Sequence, residues 1–286
     1  MTRPVLNLLC LPYAGGSASM YRFWPTHVPP WLRVVALELP GRGARQQEDA
    51  LADWPALLDV LAKDARPWLD RPYALFGHSM GALIALELGH LLRDRHGAAP
   101  AWLGVSACTA PSRRKPEHQW LSCSRSELLG ELRALKGTPA ELLDNAEFMA
   151  MIEPTLRADF HLCGTHVSPP REPLHCPVLA LCGQDDTDIA GDPDNLRGWQ
   201  RESDGRLRTQ LLDGGHFFIQ VQREAVLAEV VRELAAVAES ITSTPLVSRA
   251  MHGYGGTAPL APDRQTDSTR SSGNDMHARS GNSTSC

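Results

Sequence analysis

The sequence predicts an α/β fold, a mostly parallel sheet flanked by helices, and two observations carry this reading. Short apolar runs alternate with longer stretches whose apolar residues recur at three and four positions, from the start of the chain to about residue 240. That alternation is the rhythm of strand-helix-strand units. The length of 286 residues also suits one large core plus extras, since α/β folds of roughly 200–250 residues are routinely single units.

The expected strands are residues 5–10, 33–37, 73–77, 102–106 and 177–183, with 206–212 as a more amphipathic edge. Helical periodicity covers 54–68, 81–95 and 223–238, and the first two of these end near proline or glycine. Residues 111–173 break the rhythm: Ser112-Arg113-Arg114-Lys115 leads into polar and helical segments with no strong strand. An inserted helical lid covering the site is the reading of this stretch, with ordinary helices of a doubly wound fold as the alternative. After residue 240 the composition turns to Ser, Thr, Gly, Asp and Arg, as in Ser268-Thr269-Arg270-Ser271-Ser272-Gly273. Such a segment buries too little apolar surface to offset its ordering entropy. Residues 1–240 are therefore read as the folded domain and 241–286 as a disordered tail.

Composition narrows the function. The 28 basic and 33 acidic residues give a net charge of -5 with no long block of like charge, so neither a nucleic acid nor a membrane surface is the expected partner. No stretch approaches the ~20 apolar residues of a membrane span. The run Val5-Leu6-Asn7-Leu8-Leu9-Cys10-Leu11 resembles a short secretory core but is near the minimum length and carries Asn7. The seven cysteines are odd in number, and none has C-x-x-C spacing. Cys10, Cys108 and Cys182 lie in apolar runs, where a thiol behaves as a small hydrophobe. A cytoplasmic monomer without metal or cofactor is expected.

The chemistry is concentrated in Gly77-His78-Ser79-Met80-Gly81, which falls between an expected strand and an expected helix. A G-x-S-x-G at that junction is a nucleophile elbow. A strand reversing into a helix within one residue forces the serine into strained backbone geometry, and side chains at positions 77 and 81 would collide with their neighbours. The turn lifts the Ser79 hydroxyl into the open and aims the Met80 amide at a developing oxyanion.

A neutral serine needs a base, held in the right tautomer by a carboxylate. Among eleven histidines, His216 follows paired glycines at a strand end in Leu211-Leu212-Asp213-Gly214-Gly215-His216 and is the expected base. His161 and His166, in the lid stretch, read as surface or packing residues. The acid is expected after the strand ending Cys182-Gly183-Gln184-Asp185-Asp186, at the carboxyl edge of the sheet. Asp186 is favoured over Asp185, with Asp188 and Asp213 as weaker candidates. The second oxyanion donor is expected from Leu11-Pro12-Tyr13-Ala14-Gly15-Gly16-Ser17, as the Ala14 amide or alternatively that of Tyr13.

Five motifs occur in the order and approximate spacing of type II thioesterases: Leu11-Pro12-Tyr13-Ala14-Gly15-Gly16, Leu39-Pro40-Gly41-Arg42-Gly43, the serine pentapeptide, Leu156-Arg157-Ala158-Asp159-Phe160 and Gly214-Gly215-His216-Phe217-Phe218. The chain resembles that family over about residues 5–238. The resemblance implies a stand-alone α/β-hydrolase with a helical lid that serves nonribosomal peptide and polyketide synthetases. It implies hydrolysis of wrong or stalled acyl groups from the phosphopantetheine of carrier domains, which are then the partners and bring the phosphopantetheine with them. Position by position it assigns the triad to Ser79, Asp186 and His216 and the oxyanion amides to Ala14 and Met80. Fold and triad do not name a substrate, so an esterase or fatty-acyl thioesterase stays open. So does a catalytically inactive hydrolase fold that docks carrier domains. The basic run Arg113-Arg114-Lys115 reads as a solvated loop, or alternatively as a contact for an acidic carrier domain.

Overall fold

Six parallel strands form the sheet: β1 (Leu6–Leu11), β2 (Leu32–Ala36), β3 (Tyr73–His78), β4 (Leu103–Ser106), β5 (Val178–Gly183) and β6 (Leu207–Leu212). Their order is β2-β1-β3-β4-β5-β6, as seen in a computed structural model that describes residues 4–117 and 119–243. The helices are α1 (Trp54–Ala65), α2 (Met80–His96), α3 (Arg125–Leu135), α4 (Ala140–Leu143), α5 (Ala146–Thr165), α6 (Thr187–Ala190), α7 (Asp194–Arg197), α8 (Phe218–Val221) and α9 (Arg223–Ser243).

The pleat explains why the central strands read as unbroken apolar runs. Alternate residues of a strand face opposite sides, and here both sides are covered. Leu9 and Leu11 of β1 and Leu75 of β3 pack with Leu57 and Leu61 of α1 and Leu83 and Leu86 of α2. Leu6, Leu8 and Phe76 face the other way, onto Tyr21, Trp24 and the α9 residues Val226, Val230 and Leu234. The edge strand β6 alternates partly buried and exposed positions, matching its amphipathic sequence.

Strand limits shift by a residue at the ends, and the helix expected over 54–68 stops at Ala65, where Arg66–Trp68 tightens into a 3-10 turn at Pro67. α9 continues to Ser243, so residues 241–243, read from sequence as tail, are helical. The remainder of the expected tail, residues 244–286, lies outside the described residues.

Among the described residues no strand interrupts the stretch between β4 and β5. Its helices have a core of their own, made of Trp120, Leu128, Leu132, Leu143, Met149, Leu156 and Phe160. α5 belongs to both readings of this stretch. Its middle packs in the lid core through Leu156 and Phe160, while Leu162 joins the sheet core and its carbonyl accepts from Trp54 Nε1 at 3.0 Å. Among the described residues no helix is long and apolar enough to cross a membrane.

His90, on the buried face of α2, is 2% exposed, and neither ring nitrogen has a hydrogen-bond partner among the described residues. Burial, reinforced by the positive charges of Arg171 and Arg93 and opposed by Glu87 and Asp94, lowers its pKa to about 4. The unfolded chain takes up this proton near pH 6.5 while the folded chain refuses it, so stability drains as pH falls from 6.5 towards 4. Denaturant unfolding at pH 7 and pH 4.5 should show His90→Leu escaping a loss of about 2 kcal/mol that the wild type suffers between the two. An equal pH response of both proteins would refute this.

Candidate active site

Ser79 joins β3 to α2 with φ 54° and ψ -118°, a conformation that L-residues adopt only when the surroundings enforce it. The two glycines are demanded by close approach. A Cβ on Gly77 would stand 1.9 Å from the Gly81 carbonyl oxygen, and one on Gly81 would stand 2.2 Å from that of Leu11. β4 pins the turn from the side, since the Ser79 N–H donates to the Ser106 carbonyl at 2.7 Å.

The loops after β3, β5 and β6 bring three of the expected residues together. His216 Nε2 lies 3.0 Å from Ser79 Oγ, and His216 Nδ1 lies 2.8 Å from Asp186 Oδ2. An ionised carboxylate only accepts, so Nδ1 carries the proton and Nε2 is left to accept from the serine hydroxyl. Of the four candidate acids only Asp186 reaches the histidine; it is buried, whereas Asp185, Asp188 and Asp213 are exposed. The acid and histidine loops are laced by their backbones. Gln184 N–H donates to Leu212 O at 2.8 Å and Asp185 N–H to Gly214 O at 3.0 Å, and a Cβ on Gly183 would fall 2.2 Å from the Gly214 oxygen.

His78 is a site residue to which the sequence alone assigns no role. It is fully buried, its Nε2 lies 3.0 Å from the His216 carbonyl and its Nδ1 lies 2.9 Å from Ser106 Oγ. A carbonyl only accepts, so Nε2 carries the proton and Nδ1 accepts from the Ser106 hydroxyl. Burial, with the neighbouring His216 adding to it, drives its pKa well below the usual histidine value, so the ring is a neutral strut. It fixes the backbone of the residue whose imidazole faces Ser79.

The two expected oxyanion amides are available. Met80 opens α2, where first-turn amides lack intrahelical acceptors. In the loop after β1, Gly16 N–H bonds the Tyr13 carbonyl at 2.9 Å and Gly15 N–H bonds Asp159 Oδ2 at 2.7 Å, while the Ala14 amide has no acceptor among the described residues. Tyr13 itself turns its ring edge-on to Phe217 at 5.0 Å, and its hydroxyl accepts from Gln220 Nε2 at 2.8 Å.

Ser79 and His216 open onto a cavity of about 710 Å³, walled on the lid side by Leu132, Leu135, Phe148, Ile152, Leu156 and Phe160. The lid lies close over the histidine loop, for a Cβ on Gly137 would stand 2.2 Å from Phe217 Cε2. A cavity of that size with mostly apolar walls fits an acyl chain. Elsewhere, His166 contacts Glu87 through Nε2 at 2.9 Å, and His161 lies on α5. Among the described residues no group of three or more His, Cys, Asp or Glu side chains is placed to hold a metal. The six described cysteines are free, and burial pushes the Cys163, Cys176 and Cys182 thiols up to about 12. Of the basic run, Arg113 pairs with Asp192 at 2.6 Å and Arg114 donates to the Cys163 carbonyl at 2.9 Å.

Replacing His78 with Phe fills the volume but removes the strut to His216. Steady-state kinetics should show kcat reduced by about 10–10²-fold in a folded protein, as displacement of a reacting group by an ångström does; an unchanged kcat would contradict the strut.

Known proteins resemble this chain over most of its length. The family model described as "Thioesterase domain" matches residues 6–234. The gramicidin S biosynthesis protein GrsT of Aneurinibacillus migulanus is 32% identical over 232 residues, covering 81% of this chain and 90% of that protein. The human medium-chain S-acyl fatty acid synthase thioesterase is 30% identical, covering 74% of this chain and 80% of its own. The solved structure of the type II thioesterase BorB from the borrelidin biosynthetic cluster superposes with a TM-score of 0.72 at 36% identity, covering 81% of this chain and 95% of that one. The chain thus belongs to the thioesterase domain family and is a thioester hydrolase of the α/β-hydrolase fold.

Proposed function

We propose that the chain hydrolyses acyl groups from the phosphopantetheine thiol of carrier domains, clearing misprimed or stalled units from a nonribosomal peptide or polyketide synthetase. The observation that carries this reading is the unbroken contact from Asp186 through His216 to Ser79 at the mouth of a lidded apolar cavity. Relatives of similar length that serve such pathways support the carrier-bound substrate.

In this mechanism His216 Nε2 takes the proton of Ser79 Oγ as the oxygen attacks the thioester carbonyl carbon. The negative oxygen of the tetrahedral intermediate rests on the Ala14 and Met80 amides, and Asp186 stabilises the imidazolium. The C–S bond breaks, the pantetheine sulfur receives the proton from His216, and the acyl group remains on Ser79. Water, deprotonated by the same histidine, then attacks the acyl ester, and the free acid leaves as Ser79 regains its proton. No step uses a cofactor of the protein's own.

A second reading, release of medium-chain fatty acids, is favoured by the human relative and by the apolar cavity. Acetyl-carrier protein, acetyl-CoA and a medium-chain acyl-carrier protein, followed by intact-protein mass, separate the two. The editing reading expects rapid release of acetyl from the carrier, slow turnover of acetyl-CoA and loss of release in Ser79→Ala. Preference for the medium chain with little acetyl release would favour the second. Asp186→Asn should fold and lose about 10⁴-fold in kcat, because the histidine then rests in the wrong tautomer.

A further inference from the structure

The loop that offers the Ala14 amide is held by a side chain of the lid. Asp159, on α5 and 1% exposed, accepts from Gly15 N–H at 2.7 Å. The same carboxylate is gripped by both terminal nitrogens of Arg42, Nη2 to Oδ1 at 2.8 Å and Nη1 to Oδ2. Arg42 is 8% exposed, and its remaining donors go to backbone carbonyls, Gly16 O at 3.4 Å and Pro40 O at 3.3 Å. Gly15, with φ +74°, rests against the same helix, for a Cβ there would stand 2.6 Å from Leu156 Cδ2.

Peptide planarity converts these contacts into a direction. The Ala14 N–H belongs to the same planar trans unit as the Tyr13 carbonyl and points opposite to it. That carbonyl is bound by Gly16 N–H at 2.9 Å, while Gly15 and Gly16 are themselves clamped by Asp159 and Arg42. We propose that Arg42 and Asp159 are positioning residues of the oxyanion hole: the lid helix, by carrying Asp159, aims the Ala14 amide at the reacting carbonyl. The inference rests on the serine mechanism proposed above. A pair retained only for stability could be replaced by apolar side chains at little cost, because desolvation cancels much of the attraction in a buried ion pair.

The test is the double variant Arg42→Met with Asp159→Leu, which strands no charge and leaves Gly15 N–H without its acceptor. Thermal unfolding should place its Tm at or above that of the wild type, while kcat falls by about 10²-fold, the typical effect of losing one oxyanion donor. Affinity for a trifluoromethyl ketone analogue of an acyl-pantetheine, whose serine adduct bears the oxyanion, should fall by a similar factor. Affinity for the non-hydrolysable thioether analogue should stay the same. A folded double variant with wild-type kcat and ketone affinity, or one in which both analogues weaken equally, overturns the proposal. Should the double variant not fold, Asp159→Glu, which keeps the charge and displaces the carboxylate, is read by the same criteria. A wild type that hydrolyses no acyl thioester would instead remove the serine mechanism, whereas an active wild type beside an equally active variant removes only the positioning role.

Discussion

The backbone reversal at Ser79 imposes the constraint from which the rest of the site follows. A serine at φ 54° and ψ -118° is held there only because β3 and α2 approach so closely that Gly77 and Gly81 leave no room for a side chain. That approach depends in turn on the sheet. Gly81 lies against the end of β1 and Ser79 is tethered to the end of β4, the two strands on either side of β3. The strain is therefore held by a core covered on both faces, and it exposes the hydroxyl and the first amide of α2 at the same point.

Around this elbow the remaining groups are fixed by contacts between loops. β5 and β6 are adjacent, so the acid and the histidine arrive on loops whose backbones bond one another. His78, one residue before the nucleophile, reaches from the end of β3 to the carbonyl of His216. The elbow thus holds the backbone of His216 as well as Ser79. From the opposite side α5 of the lid meets the loop after β1 through Asp159 and Leu156, so one helix both walls the cavity and holds the loop that carries Ala14.

Much of this was legible in the sequence, for identifiable reasons. Strands buried on both faces leave continuous apolar runs, and an elbow needs glycines at fixed offsets from its serine; both are local signals. The order Ser79, Asp186, His216 and the glycine-containing loop after β1 are visible in the same way, and the fold brings the first three into contact. The sequence favours Asp186 over Asp185 without a physical reason to separate them, and the fold supplies one: it buries Asp186 within reach of His216 and leaves Asp185 exposed. The double role of α5 was hidden because its pattern of apolar residues is the same whether they meet a lid or a sheet. The role of His78 was hidden because its partners, Ser106 at the end of β4 and His216 in the loop after β6, are far from it along the chain. Arg42 and Asp159 each lie in a motif visible in the sequence, but they are far apart along the chain and only the fold joins them.

The account stands on acyl transfer to one oxygen atom. Its most direct test is rapid-quench mixing of the chain with an acyl-carrier protein, followed by intact mass and peptide mapping of the acylated species. The account predicts a transient mass increase equal to the acyl group, located on the peptide containing Ser79 and decaying as free acid appears. Free acid released with no acylated intermediate at any quench time, or an acyl group found on a cysteine, would contradict it.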